Sequence, residues 1–366
     1  AQRPVLRTPR LPDIHDLDDP KTYSAIDPSG LGRRLTSLPD QCQAAWREVQ
    51  FVTLPEHWTG SDQVIIAGMG GSAIAGDLAA DLASLQGTLP VSVVRGFRLP
   101  FTPNGRTLVL ACSYSGNTAE TLSLFRQSVE AGAAVVAVTG GGDMAQQAQA
   151  AQIPVVPVNA PGEPRSAVGY NLMLVLGILN RLNLVSTTDQ DVATAIGDLS
   201  RRVSSLEPGV PTSNNRAKQL ALELQDRLPL VYGGGLFSGV ARRWKTQLNE
   251  NAKVWAFFES IPELLHNAVE SYSASPILSQ QLIAVVLQPA AGREETGQPY
   301  LVVAELLRRA GVEHRVLQGA EGPPLAQLLD MLLLGDLVSY YLAVLRGVDP
   351  SPTPTLNTAK ELMAGF

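Results

Sequence analysis

The hydrophobic positions of this chain change period several times, and each change marks an element. Short β-branched runs recur at Gln63 to Ala67, Val91 to Val94, Thr107 to Cys112, Ala134 to Val138 and Ile153 to Val158, most of them joined by Ala-, Leu- and Gln-rich stretches of helical spacing. Nearly continuous apolar runs alternating with helices predict strands buried on both faces, as in a parallel sheet covered by helices. Residues 1 to about 40 are rich in Pro and Asp and read as an irregular leader, followed by an amphipathic segment from Cys42 to Val52. A long apolar helix is expected from about Ser166 to Leu182, and a polar stretch from Ser186 to Asn215 leads into a second half where the pattern partly repeats. Pro229 to Tyr232 feeds the turn Gly233, Gly234, Gly235 as Val64 to Ala67 feeds Gly68, Gly70 and Gly71, and Leu282 to Leu287 parallels Thr107 to Cys112. The expected organisation is a leader and helix over 1–45, one α/β half over 46–190 and a second over 191–366.

At 366 residues, two domains or one duplicated unit fit the usual domain size, and 45% hydrophobic against 17% charged residues is a globular balance. The net charge of -6 and pI near 5.3 give little attraction to phosphate backbones, so no nucleic-acid partner is expected. Cys42 and Cys112 are too few for a disulfide framework or a metal cluster, which points to a reducing, cytoplasmic setting without metal. The opening residues carry Pro and Arg ahead of any apolar run, so no secretion signal is expected. The apolar run from Met331 to Leu345 is interrupted by Asp336 and falls short of the ~20 residues of a membrane span, which predicts a buried helix and no membrane partner.

Three clusters carry candidate chemistry. In VIIAGMGGSAIAGDL a strand, a glycine turn and a helix follow one another, so that backbone N–H groups and the positive helix end, at Gly71 and Ser72, point at an anion. Gly68, Gly70 and Ala73 also fit a loose dinucleotide fingerprint, but Arg95 stands where the ribose-binding acid belongs. A tight turn with no ligand is the plain alternative. In TLVLACSYSGNTAET the hydroxyls of Ser113, Ser115 and Thr118 crowd one strand-to-helix turn. They suit a phosphomonoester, which needs several hydrogen bonds at once, whereas N-capping needs only one such residue. The matching position of the second half reads LIAVVLQPAAGREET and gains Glu294 and Glu295, whose charges repel phosphate, so one phosphate site per chain is expected. In LNENAKVWAFFESIPELLHN, Glu250 and His266 offer a carboxylate and an imidazole with Pro262 as a helix breaker between them. The carboxylate suits proton shuttling between adjacent carbons of an aldose or ketose, the imidazole ring opening. A solvated glutamate and a structural histidine are the ordinary alternatives.

Taken together, GMGGSAIAGD, SYSGNTAET, PRSAVGY, NENAK through PELLHN, and DPSPTPTLNTAK resemble, in order, the motifs of the bifunctional phosphoglucose/phosphomannose isomerases, a branch of the sugar isomerase (SIS) superfamily. The resemblance runs from about Val64 to the C-terminus. It implies two SIS-type, flavodoxin-like three-layer halves, with phosphate held by the first half and the catalytic groups in the second. It further implies no cofactor, and fructose, glucose and mannose 6-phosphates as substrates. By that likeness Glu250 is the base and His266 assists ring opening, reaching into the neighbouring subunit's site of a homodimer. Arg165 stabilises the enediolate, with a surface ion pair as its alternative role. Lys360 contacts sugar oxygens, with a helix-end cation as its alternative. Thr353 leaves room for rotation about C2–C3, so that either face of the enediol meets one base. One departure stands out: the acid that usually follows the His-Asn pair of the family is Ala268 here, with Glu270 nearby. Two rival functions share these residues: a non-catalytic sugar-phosphate sensor, and an isomerase of another sugar phosphate.

Overall fold

The computed structural model describes residues 15–87, 89–273, 276–290 and 294–364. Its nine strands, among the described residues, are β1 (Gln63–Gly68), β2 (Val91–Val94), β3 (Thr107–Ser113), β4 (Ala134–Thr139), β5 (Val155–Pro157), β6 (Leu228–Gly233), β7 (Phe257–Ser260), β8 (Leu282–Gln288) and β9 (Glu313–Gln318). They form two all-parallel sheets, ordered β2-β1-β3-β4-β5 and β7-β6-β8-β9.

Both sheets are covered on both faces because successive strand residues point to opposite sides. In the first sheet Ile66, Leu108, Leu110 and Val136 face the helices Gly70–Gln86 and Val168–Arg181, while Ile65, Val109 and Val135 face Leu124, Phe125 and Met144. In the second sheet Val231 and Val285 join the first of these cores through Val240, Trp244 and Leu328, and Tyr232, Ala284 and Val286 pack on Tyr300, Val303 and Leu307. One core therefore runs through both halves. The 22-residue helix Pro324–Leu345 is buried within it; its Asp336 is neutralised by Arg243 at 2.6 Å, so the run from Met331 is a core helix.

Several segments differ from expectation. The supposedly irregular leader carries the helices Pro20–Ile26 and Leu31–Thr36, while the helix Leu38–Val49 is the amphipathic segment expected from Cys42, begun four residues earlier; residues 1–14 lie outside the described ones. The Pro and Asp residues that read as breakers act as helix starters. Asp19 caps the first helix ahead of Pro20, and the Asp27 carboxylate accepts from the N–H groups of Leu31 and Gly32 at 2.8 and 2.9 Å. The polar stretch after Ser186 contains the helix Asp189–Leu206, opened by a Thr188/Asp191 capping box. Strands β7 and β9 went unanticipated, since β7 has four residues and β9 reads EHRVLQ, half polar.

Candidate active site

The two turns expected to bind phosphate leave the carboxyl ends of neighbouring strands, since β1 and β3 pair Gly68 with Cys112. The first sheet reverses its order of progression between these two strands, which is where ligands settle in open parallel sheets. Gly70, Gly71 and Ser72 open the helix Gly70–Gln86, and Met69, its N-cap, supplies no side-chain cap, which leaves first-turn N–H groups for an anion. Ser113 and Thr118 face each other, hydroxyl to hydroxyl at 3.0 Å, and the Ser113 and Ser115 oxygens accept from the backbone N–H groups of Gly116 and Asn117 at 3.1 and 3.2 Å. Thr118 stands at the N-cap of the helix Ala119–Glu130 but makes no capping bond.

Arg165 lies past the carboxyl end of β5, in the short 3-10 turn Pro164–Ala167, only 6% exposed. A β-carbon on Gly71 would stand 3.0 Å from the Pro164 carbonyl oxygen and 3.4 Å from the Arg165 α-carbon, so glycine there lets the arginine sit directly against the first helical turn. Its guanidinium reaches across to the second half. Nε donates to Asn251 Oδ1 at 2.9 Å, Nη2 donates to the Pro350 and Ser351 carbonyls at 2.8 and 2.7 Å, and Nη1 stands 3.6 Å from the Glu250 carboxylate. Arg165 is therefore a buried bridge rather than a surface ion pair. Burial lowers its pKa and Glu250 partly restores it.

Glu250 is the last residue of the helix Ser238–Glu250, its side chain 30% exposed. That helix ends there, ahead of Pro262, and β7 intervenes before the turn Glu263–His266, so the expected break at Pro262 comes too late in the chain. A ring of hydrogen bonds fixes the arginine that faces Glu250. Asn251 Nδ2 donates to Ser339 Oγ (3.0 Å), Ser339 donates to the Asp336 carbonyl (2.7 Å), the Asp336 carboxylate accepts twice from Arg243 (2.9 and 2.6 Å), and Arg243 donates to the Arg165 carbonyl (2.9 Å). Burial raises the Asp336 carboxyl while Arg243 holds it down. Lys253, with φ +56, donates to the Glu250 carbonyl and to the Pro350 carbonyl. Part of the residue is open to water, yet desolvation of its ammonium and the nearby Arg165 charge lower its pKa to about 8.

Of the groups singled out in the sequence, the structure brings Gly71, Arg165, Glu250 and the 349–353 turn together, with the hydroxyl turn on the same sheet edge. Thr353 follows the Ser351 carbonyl that Arg165 grips and begins the helix Pro354–Ala364, on which Lys360 is exposed. His266 is elsewhere. It is exposed, past the carboxyl end of β7, whereas the helix ending in Glu250 runs back from β6 to the start of β7 and leaves Glu250 at the amino end of that sheet. A helix of 13 residues covers about 20 Å, so the two side chains sit at opposite ends of the second sheet. Ala268 packs near Leu264 and Glu270 is exposed; the side chains of Glu294 and Glu295 lie outside the described residues. The second glycine turn is filled by protein: the Tyr300 hydroxyl donates to the Gly234 carbonyl, and a β-carbon on Gly234 would stand 1.9 Å from the Ile261 oxygen. Asn251, Lys253, Arg243, Ser339 and Asp336 were missed as site residues. The signals were present: Asn251 and Lys253 lie inside NENAK, and Asp336 interrupts an apolar run.

Residues 213–363 match the family model described as the bacterial phospho-glucose isomerase C-terminal SIS domain. A bifunctional phosphoglucose/phosphomannose isomerase of Caldicellulosiruptor bescii is 31% identical over 329 residues, covering 90% of this chain and 97% of its own. Its counterpart in Aquifex aeolicus is 30% identical over 317 residues, 86% of this chain and 95% of its own. Among solved structures, a glucose-6-phosphate isomerase like protein from Thermus thermophilus shares the fold with a TM-score of 0.61 at 23% identity, over 95% of this chain and 99% of that one.

Proposed function

Because the chain belongs to the bifunctional phosphoglucose/phosphomannose isomerase family, an aldose–ketose isomerase acting on sugar phosphates, we propose how its own residues divide the work. The substrate phosphate sits on the first-turn N–H groups at Gly71 and Ser72 and on the hydroxyls of Ser113, Ser115 and Thr118. Carbons 1 and 2 of glucose or mannose 6-phosphate then lie toward Glu250. Its carboxylate takes the proton from C2, the C–H electron pair forms the C1–C2 double bond, and O1 gains the charge. A proton then passes from O2 to O1, and the proton returned from Glu250 to C1 leaves C2=O and gives fructose 6-phosphate.

The observation that carries this reading is the Arg165 bridge. An arginine held on the phosphate-side edge of the first sheet meets a carboxylate from the second half at 3.6 Å. A guanidinium whose other hydrogens are already committed cannot swing away, so it stabilises the enediolate more than the neutral substrate. Thr353 lines the same turn, and Lys360 reaches sugar oxygens from the helix that follows. His266 joins this site from a second copy of the chain, a homodimer with shared sites, because its own sheet separates it from its own Glu250. Cys42 and Cys112 are buried free thiols, in keeping with work in a reducing cytoplasm.

A coupled assay with fructose, glucose and mannose 6-phosphates tests the activity. Glu250→Gln is expected to lower turnover by ~10² to 10⁴, the usual loss for a general base, with substrate binding retained. Near-normal turnover in that variant would remove Glu250 from its role. Tight fructose 6-phosphate binding without proton exchange in the unmodified protein would make it a sensor.

A further inference from the structure

Tyr114 stands between the two serines of the hydroxyl turn, and its side chain leaves that turn for another segment. The ring packs against the main core, and the hydroxyl donates to the Ala160 carbonyl and, at 3.1 Å, to that of Gly162. Burial and the Glu163 charge raise the pKa of the phenol, so it stays a donor at neutral pH. Its backbone is anchored to the first sheet. Tyr114 follows Ser113, which is paired with Thr139 of β4, and its carbonyl accepts from the Gly140 N–H at 3.1 Å.

The two acceptors belong to residues 158–163, which leave β5 with no ladder of their own and lead straight into the turn that carries Arg165. Such a loop keeps its shape through bonds to its surroundings. Arg34 takes Glu163, donating from Nε at 3.0 Å and from Nη2 at 2.8 Å, and it crowds Gly162, where φ is +96 and a β-carbon would stand 2.5 Å from Arg34 Cδ. Tyr114 takes Ala160 and Gly162. Of these two grips, only that of Tyr114 joins the loop to the hydroxyl turn.

We infer that Tyr114 is a positioning residue that fixes the separation between the phosphate-binding hydroxyls and the Arg165 guanidinium, so that a sugar phosphate held at its C6 end presents C1 and C2 to the pair Arg165 and Glu250. The inference rests on the phosphate and Arg165 assignments above and adds what spaces them. A substrate tethered at one end and converted at the other needs that distance held, since a misplacement of about 1 Å can cost ~10² in rate. Ser113 and Ser115 hold one end and Arg165 the other, and the link between them runs through the Tyr114 hydroxyl and the few residues from Gly162 to Arg165. A phenylalanine would fill the same space and remove only the donor, so the bond can be deleted without opening a cavity.

Tyr114→Phe is to be assayed with fructose 6-phosphate, alone and combined with Arg165→Lys, with inorganic phosphate as a competing probe of the phosphate site. In the single variant kcat is expected to fall by roughly tenfold, while KM and the Ki of inorganic phosphate stay within about twofold of the unmodified chain. Beside Arg165→Lys the same substitution should change kcat by less than about twofold, because the group it positions is already gone, whereas a general loosening of the fold would multiply with the loss of the arginine. An unchanged kcat in Tyr114→Phe, a full loss retained beside Arg165→Lys, or a phosphate Ki that rises as far as kcat/KM falls overturns the positioning role and leaves the isomerase standing. Ser113→Ala tests the phosphate assignment itself: it should raise the Ki of inorganic phosphate, and an unchanged Ki overturns that assignment and the spacing role with it.

Discussion

Lys253 holds the end of the helix that carries Glu250 in a conformation that costs it something. A lysine at φ +56 sits in the left-handed region, which side chains with a β-carbon avoid, and such positions persist where the surroundings fix them. Here they are fixed by bonds from the ammonium to the Glu250 and Pro350 carbonyls, which tie Glu250 to the turn that also anchors Arg165. With its pKa lowered to about 8 by desolvation and the Arg165 charge, this ammonium loses its proton within an accessible range. Turnover is expected to fall as pH rises through about 8. Unfolding does not explain such a fall: between about 8 and the ordinary 10.5 the folded chain holds fewer protons than the unfolded one, so stability rises with pH there. Lys253→Arg, which keeps its cation, should move the decline to higher pH, and Lys253→Met should lower turnover and abolish that limb. An unchanged pH profile in both variants would separate Lys253 from the reaction.

At the scale of elements, the site exists because two helices end where they do. The helix Gly70–Gln86 begins against Arg165 and the helix Ser238–Glu250 ends there, and the close approach depends on Gly71. Gly71→Ala is expected to push Pro164 and Arg165 by a few tenths of an ångström and lower kcat/KM by about tenfold, near 1.4 kcal/mol, while Gly60→Ala, with open space around it, changes nothing. Equal behaviour of the two variants would disprove the contact. Much of this arrangement was legible in the chain. The strands of the first sheet announce themselves as continuous apolar runs, and the glycine and serine turns follow them directly. The second half was less legible because β7 and β9 are short, partly polar edge strands whose identity depends on β6 and β8 beside them. Glu250, Arg165 and His266 were named by motif; that the first two touch while the third lies at the other end of the sheet follows only from helix direction, which residue spacing does not encode. The hydrogen-bond ring through Asn251, Ser339, Asp336 and Arg243 draws on two helices distant in sequence, and no local pattern marks it.

In the molecule as a whole the two halves are fastened along the same helix pair that builds the site. Away from the site, Asp81 accepts from the Gly239 N–H at 2.6 Å, and Asp77 pairs with Arg95 at 2.5 Å and with Arg242 at 3.5 Å. Gly239 leaves no space between the helices, since a β-carbon there would stand 2.9 Å from the Asp77 β-carbon. Desolvation raises the Asp81 carboxyl to about 7, with Asp77 adding repulsion and the Gly239 bond opposing. The sign follows from proton counting. Between the ordinary 3.8 and about 7 the folded chain holds a proton that the unfolded chain has released, so this contribution to stability is complete below 3.8 and gone once pH passes about 7. Asp81→Asn, which still accepts from the N–H but carries no charge, should therefore unfold at higher denaturant concentration than the unmodified chain at pH 8, with the gap narrowing toward pH 4. Arg165 and Glu250 are brought together by the other ends of these two helices, so the tighter variant should also hold its turnover at urea concentrations that already weaken the unmodified enzyme. A stability gap that ignores pH would mean that Asp81 is already charged at low pH within the fold, and that this contact between the halves does not respond to acidity.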